Sequence, residues 1–148
     1  MKKYLVKKAV TDDAREIKEI MNAAYSIYDK ILDGIILPPM TIDYEDEIRN
    51  YPTWVLIYNG HKIGALTMYF DENDVHLSNI AVDPIYMGQG FGKILINFAE
   101  NIAREKGYHH LSLVTHTKLL KNIEFYNKLG YKEIDRVEDK VYFEKVLV

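Results

Sequence analysis

The 148-residue chain contains no cysteine. That excludes a disulfide frame, a thiol nucleophile and any thiolate metal site. Its five histidines, His61, His76, His109, His110 and His116, show no ligand spacing such as His-Glu-x-x-His, so no metal is expected. Basic excess is also missing: 22 acids stand against 19 bases, a formal charge of -3, which argues against a nucleic-acid partner. No apolar run reaches membrane-spanning length, and Lys7 and Lys8 interrupt the residues after Met1-Lys2-Lys3 before a signal core can form. The expectation is a cytoplasmic protein with no membrane partner. No repeat, linker or low-complexity run divides the chain, and its 48% hydrophobic content suits one domain over residues 1–148. Tyrosine, by contrast, is abundant. Twelve phenols in this length point to a pocket lining as well as a core, because a buried hydroxyl needs a partner.

The most informative stretch runs from Val75 to Lys93, VHLSNIAVDPIYMGQGFGK. Ile80, Ala81 and Val82 continue an apolar strand whose earlier positions His76, Ser78 and Asn79 are polar. Pro84 has no N–H and restricts Asp83, which ends the strand. Gly88, Gly90 and Gly92 then lead into a helix, lacking the Cβ atoms that hold an anion away from backbone N–H groups. Such a turn is suited to an anion. The dinucleotide fingerprint fails, because its third glycine falls on Lys93. A Walker loop fails too, because Gly88 and Gly92 enclose three residues and Ile94 follows Lys93.

What remains, Gly-x-Gly-x-Gly after a strand, resembles the pyrophosphate loop of the GNAT superfamily of N-acetyltransferases. A second stretch carries the same resemblance: Phe125-Tyr126-Asn127-Lys128-Leu129-Gly130-Tyr131 is similar to the family's F-Y-x-K-L-G-F/Y helix end. Two departures stand out. Met87 replaces the usual Gln or Arg, and Leu119 the usual asparagine, while Asn122 one turn before Tyr126 is similar to a subgroup with E-N-x-x-x-Y. Ala24-Tyr25-Ser26-Ile27-Tyr28 and Pro38-Pro39-Met40-Thr41-Ile42-Asp43-Tyr44 also resemble segments of a bacterial and archaeal subgroup. The fold implied is α/β: a mixed, mostly antiparallel sheet of about seven strands, helices on both faces, and a parallel strand pair splayed at a coenzyme A site.

The patterns along the chain agree with that outline. A strand at Lys3 to Val10 precedes a helix capped by Thr11, with Ile17, Ile20, Met21 and Ala24 on one stripe. Thr41 is the expected cap of a second helix carrying Tyr44 and Ile48. Asn59-Gly60 predicts a hairpin turn, and a further turn at Asp71 to Asp74 completes a three-strand meander. Phe91, Leu95, Phe98 and Ile102 form the stripe of a long helix ending at Gly107. A strand at His110 to Thr115, parallel to Val75–Val82, a helix through Tyr126 and a closing hairpin from Tyr131 follow.

The resemblance implies acetyl-CoA as cosubstrate, an amine acceptor that is a small molecule or peptide, and direct attack in a ternary complex. Cofactor contacts are expected from Ile80, Ala81 and Val82, from Met87, Gly88, Gln89, Gly90, Phe91, Gly92 and Lys93, and from Asn122, Phe125 and Tyr126. Tyr126 is the expected acid, since a phenol stays protonated at neutral pH. His76 is the candidate base, at a strand position where family members often carry glutamate. Tyr25, Tyr28, Met40 and Tyr44 are the expected acceptor wall. The acidic run Asp43, Glu45, Asp46 and Glu47 reads as a solvated first turn, with attraction of a cationic acceptor as the alternative. Two other readings keep the fold: a non-catalytic acyl-CoA-binding regulator, and a protein N-terminal or lysine acetyltransferase. The edge of the closing hairpin is a candidate for pairing into a homodimer.

Overall fold

Asn59 and Gly60 both take positive φ, 50° and 80°, and reverse the chain between β2 (Thr53–Tyr58) and β3 (His61–Phe70), as the Asn-Gly pair predicts. The structure, a computed structural model, describes residues 3–148, so the Met1-Lys2 part of the leader-like start lies outside the described residues. β1 (Tyr4–Lys8) pairs with β2, and β4 (Val75–Val82) follows β3 after a turn in which Asp71 Oδ1 accepts the N–H groups of Asn73 and Asp74. β5 (His110–His116), β6 (Lys132–Val137) and β7 (Lys140–Val146) complete one seven-stranded sheet in the order β1-β2-β3-β4-β5-β7-β6. Among the described residues, only β4 and β5 run parallel. The last strand is thus the inner member of the closing hairpin, and β6 is left as an exposed edge.

Helices cover both faces. α1 (Ala14–Ser26) turns Ile17, Ile20 and Met21 onto Val55, Ala65 and Ala81, together with Tyr44 from α3 (Tyr44–Asn50). On the other face α4 (Phe91–Glu105) packs Phe91, Leu95, Ile96 and Ala99 against Leu56, Leu66 and Met68, with Tyr126 of α5 (Leu120–Lys128) in the same core. A smaller cluster of Leu32, Leu37 and Leu119 joins α2 (Asp29–Leu32) to the start of α5. Leu119 is thus a buried packing residue.

Two helix starts differ from the expectation. Thr11 opens a 3-10 turn, and it is the Asp13 carboxylate that accepts the Val10 N–H at 2.9 Å. Thr41 spends its hydroxyl on Pro38 O at 3.3 Å, so Asp43 caps α3 by accepting from Glu45 N and Asp46 N. In both cases the carboxylate, a stronger acceptor than a hydroxyl, takes the orphan N–H groups.

The face behind α5 carries a buried polar network. Tyr131 Oη donates to Glu100 Oε2 at 2.8 Å, and Lys145 Nζ reaches the same oxygen at 3.1 Å. Glu100 is only 3% exposed, so its carboxylate needs these partners. The network fixes Tyr131, whose ring lies 6.0 Å from that of Tyr126.

Candidate active site

β4 and β5 pair at only two positions, His76 with Ser112 and Leu77 with Leu113. The register between β3 and β4 then skips a residue: Met68 faces Leu77 and Thr67 faces Asn79, leaving Ser78 as a bulge. Beyond it β4 follows β3 and leaves β5. Ile80, Ala81 and Val82 remain paired to β3 on one edge, so the backbone groups of the other edge border a gap. The same three residues line a cavity of about 440 Å³, whose other walls come from the Ala24–Tyr28 stretch, the Pro84–Lys93 segment and α5.

The loop after β4 forms the cavity's polar end. Asp83 Oδ1 accepts the Ile85 N–H at 3.1 Å, closing a short turn over Pro84–Tyr86. Gly88 and Gly90 take φ of 79° and 85°, in the left-handed region that glycine alone adopts freely, and an added Cβ at either would meet open space. Ile94 N–H is returned to the helix at Gly90 O, 3.1 Å, while the N–H groups of Gly92 and Lys93 ahead of it have no helical carbonyl to reach. These donors and the start of a 15-residue helix suit an anionic group. Gly92 has a further reason. A Cβ there would stand 3.2 Å from Phe125 Cζ, so this glycine, which also lines the cavity, admits the aromatic ring.

Tyr126 lines the opposite end. Its ring is 6% exposed and wedged among Phe125, Tyr131 and Phe143 at centroid distances of 5.4, 6.0 and 5.9 Å. Burial, with Tyr25 and Tyr28 nearby, pushes its phenol well above the usual range, so it holds its proton. Tyr25 and Tyr28 come from the end of α1 and the residue before α2, their rings 6.5 Å apart. Burial, with a contribution from Tyr28, pushes Tyr25 up to about 12. Tyr28 Oη donates to Asn122 Oδ1 at 3.3 Å, bridging the α1–α2 junction to α5.

Most of the residues singled out in the sequence border this cavity. Tyr25, Tyr28, the Ile80–Val82 segment, Met87, the three glycines, Phe91, Lys93, Asn122, Phe125 and Tyr126 all do. Gln89, Met40, Tyr44 and His76 are not among the lining residues. Tyr44 is buried and donates its hydroxyl to Pro39 O, while Met40 Sδ accepts the Leu37 N–H at 3.4 Å, so both shape the wall from behind. His76 precedes the bulge, in the still-paired part of β4, where its ring stacks on Tyr69 at 6.1 Å. Its Nε2 lies 3.9 Å from Asp71 Oδ2. Reading of the sequence missed Ala24, Ile27, Pro84 and Tyr86, which also line the cavity. Ala24, Ile27 and Tyr28 recur at helical spacing, a signal that was available.

The sequence also gave no sign that Glu47 leaves the solvated turn assigned to it. Asn79 Nδ2 donates to Glu47 Oε2 at 2.9 Å. Burial pushes the Glu47 carboxyl above its ordinary value, the Asn79 hydrogen bond opposes this, and the charge of Asp46 adds to it.

Comparison with known proteins gives a consistent picture. The chain is 26% identical over 105 residues to an uncharacterised N-acetyltransferase of Chlorobaculum tepidum, a match covering 70% of this chain and 63% of that one. It is 30% identical over 96 residues to the putative [ribosomal protein bS18]-alanine N-acetyltransferase of Bacillus subtilis, covering 62% of this chain and 64% of that one. The match thus spans somewhat under two thirds of the length of these relatives. Among solved structures, the PaiA N-acetyltransferase of Thermoplasma acidophilum in complex with coenzyme A superposes with a TM-score of 0.84 at 20% identity, over 97% of this chain and 99% of that one. That likeness establishes a shared fold. The model of the acetyltransferase (GNAT) family matches residues 14–131, across the wedge, the glycine loop and the Tyr126 helix, and the chain belongs to that family.

Proposed function

We propose that residues 1–148 form one N-acetyltransferase domain, which moves an acetyl group from acetyl-CoA to an amine by direct attack in a ternary complex. The observation that carries this reading is the abrupt end of the β4–β5 pairing, which opens a cavity between an N–H-rich helix start and a buried, protonated tyrosine. The residues present fit coenzyme A. The Gly88–Lys93 loop supplies N–H donors for a pyrophosphate, and the free edge of Ile80–Val82 offers strand-like partners to the amides of a pantetheine arm. Lys93 borders the same end with a cation.

In this reading the N–H groups along Ile80–Val82 polarise the thioester carbonyl as negative charge develops on its oxygen. Tyr126 donates its proton to the departing sulfur. Its raised proton affinity keeps that proton in place until the C–S bond lengthens, and favours prompt recapture of a proton from the attacking nitrogen. Tyr25 and Tyr28 form the acceptor-side wall, and their rings suit a cationic or apolar amine. His76 lies outside the cavity, so the reaction is written without it.

A peptide acceptor is the second reading. The Bacillus subtilis relative's name, an alanine N-acetyltransferase for a ribosomal protein, supports it, as does Ile27, an exposed apolar side chain that lines the cavity. The test is thiol release from acetyl-CoA with putrescine, phenethylamine and an alanine-starting tetrapeptide. Turnover with either class of amine supports the enzyme reading and selects the acceptor. Tight coenzyme A binding with no release for any amine would favour a non-catalytic acyl-CoA sensor.

A further inference from the structure

The turn between β3 and β4 gathers two carboxylates and an imidazole, away from the cavity: Asp71, Asp74 and His76 are none of them among its lining residues. Register explains the grouping. Tyr69 of β3 faces His76 of β4, and two positions nearer the turn the Asp71 N–H donates to Asp74 O at 2.9 Å. Residues two apart on a strand share a face, so Asp71 and Tyr69 on one side of the hairpin meet Asp74 and His76 on the other. The ligand atoms of the two aspartates and the histidine all lie within 4.8 Å of one another.

Two of these side chains are held by groups outside the set. Asp71 Oδ1 accepts the N–H groups of Asn73 and Asp74 at 3.1 and 2.7 Å, which leaves Oδ2 as the free oxygen, and Tyr108 donates its hydroxyl to Asp71 O. His76 stacks on Tyr69 with the ring planes 27° apart, its Nε2 toward Asp71. Asp71 Oδ2 and His76 Nε2 face each other at 3.9 Å, too long for a hydrogen bond. That separation is just under the about 4.2 Å that two zinc–ligand bonds span end to end, so one ion can touch both without movement of the backbone. Among the described residues, neither carboxylate has a lysine or arginine within ion-pairing distance.

From this constellation we infer that Asp71, Asp74 and His76 bind a divalent transition-metal ion, zinc above all, through Asp71 Oδ2, one carboxylate oxygen of Asp74 and His76 Nε2, with water in the remaining position. The imidazole sets the class of ion. A turn offering oxygens alone would suit calcium or magnesium, whereas one nitrogen with two oxygens suits zinc and its neighbours. A set with one histidine has no histidine spacing to recognise, so it leaves no mark in the pattern of the five histidines. Bound there, the ion ties the β3–β4 turn to the paired part of β4 and stabilises the folded chain by mass action. It takes no part in acetyl transfer, and the inference does not depend on that reading.

The test is calorimetric titration of the metal-stripped full chain with zinc chloride, with Tm and the imidazole NMR signals of His76 followed on the same samples. The variants are Asp71→Asn, Asp74→Asn, His76→Phe and His110→Ala. Asn keeps the oxygen that accepts the turn's N–H groups, and Phe keeps the ring that stacks on Tyr69, so the variants retain the hairpin. The expected result is one zinc per chain, a Tm raised by several degrees when zinc is in excess, and a shift of the His76 signals. Affinity falls about tenfold or more in each of the first three variants. His110→Ala, which removes a side chain from the neighbouring cavity of about 300 Å³ lined by Glu72 and His109, leaves it unchanged. Calcium or magnesium chloride at the same concentration leaves Tm and the His76 signals where they were. Absence of saturable zinc binding overturns the inference. So does binding that survives His76→Phe intact, or a loss confined to His110→Ala, which would move the ion to the neighbouring cavity.

Discussion

The hydroxyl of Tyr28 donates to Asn122 at 3.3 Å across 94 positions of sequence. This bond ties the α1–α2 junction to the helix that carries Tyr126. Tyr28→Phe keeps the ring and removes the bond. The expected cost is about 1 kcal/mol, read as a Tm lower by about 3 °C in a chain of this size. KM for the amine rises several-fold while kcat changes little, because the loss is in positioning. A kcat that falls in proportion would mean that the Tyr28 hydroxyl takes part in the chemistry.

The glycines of the loop separate by cause. Gly88→Ala places a methyl in open space but on a residue with φ of 79°, at about 1–2 kcal/mol. Gly92→Ala keeps helical backbone and instead presses on Phe125 from 3.2 Å, at about 1–3 kcal/mol. Both variants weaken coenzyme A binding in calorimetry. Phe125→Leu, which shortens the ring's reach, restores stability to Gly92→Ala and does nothing for Gly88→Ala. Rescue of both or of neither would contradict this assignment.

Acid stability depends in part on Asp13. It is 3% exposed, and its Oδ1 lies 2.6 Å from Lys62 Nζ. Burial alone would raise its pKa, but the hydrogen bonds from Lys62 and the Val10 N–H outweigh burial and hold it below the ordinary value. A carboxyl whose folded pKa is depressed adds stability above its unfolded value, and loses it as pH falls through the folded one. The Tm difference between wild type and Asp13→Asn is therefore full near neutral pH and closes below about pH 4. A constant difference down to acid pH would assign the effect to packing.

Much of this architecture was legible in the sequence because it is local. Asn59-Gly60 specifies its turn through two positive φ values, and the Gly88-x-Gly90 backbone needs residues without Cβ strain. The helix stripes and the Phe125–Tyr131 ending are periodic signals in contiguous residues. What escaped is non-local. The bulge at Ser78, which creates the wedge, depends on how β4 meets β3, and nothing in the strand's own composition marks it. The insertion of β7 between β5 and β6 is a choice among pairings that the hairpin pattern leaves open. Glu47 was read as a solvated acid because its contact with Asn79, 32 positions away, has no trace in the spacing of either residue. His76 illustrates the converse: its strand position was read correctly, but the strand's divergence leaves it on the paired side, away from the cavity.

The central claim is that Tyr126 is the proton donor of an acetyl transfer. Its most direct test is single-turnover release of thiol from acetyl-CoA by wild type and Tyr126→Phe, with coenzyme A affinity measured on the same samples. Phe keeps the ring among Phe125, Tyr131 and Phe143, so the fold and the cofactor affinity persist. The account predicts a rate lower by about 100-fold or more at unchanged coenzyme A affinity. A Tyr126→Phe protein that releases thiol at the wild-type rate would contradict it.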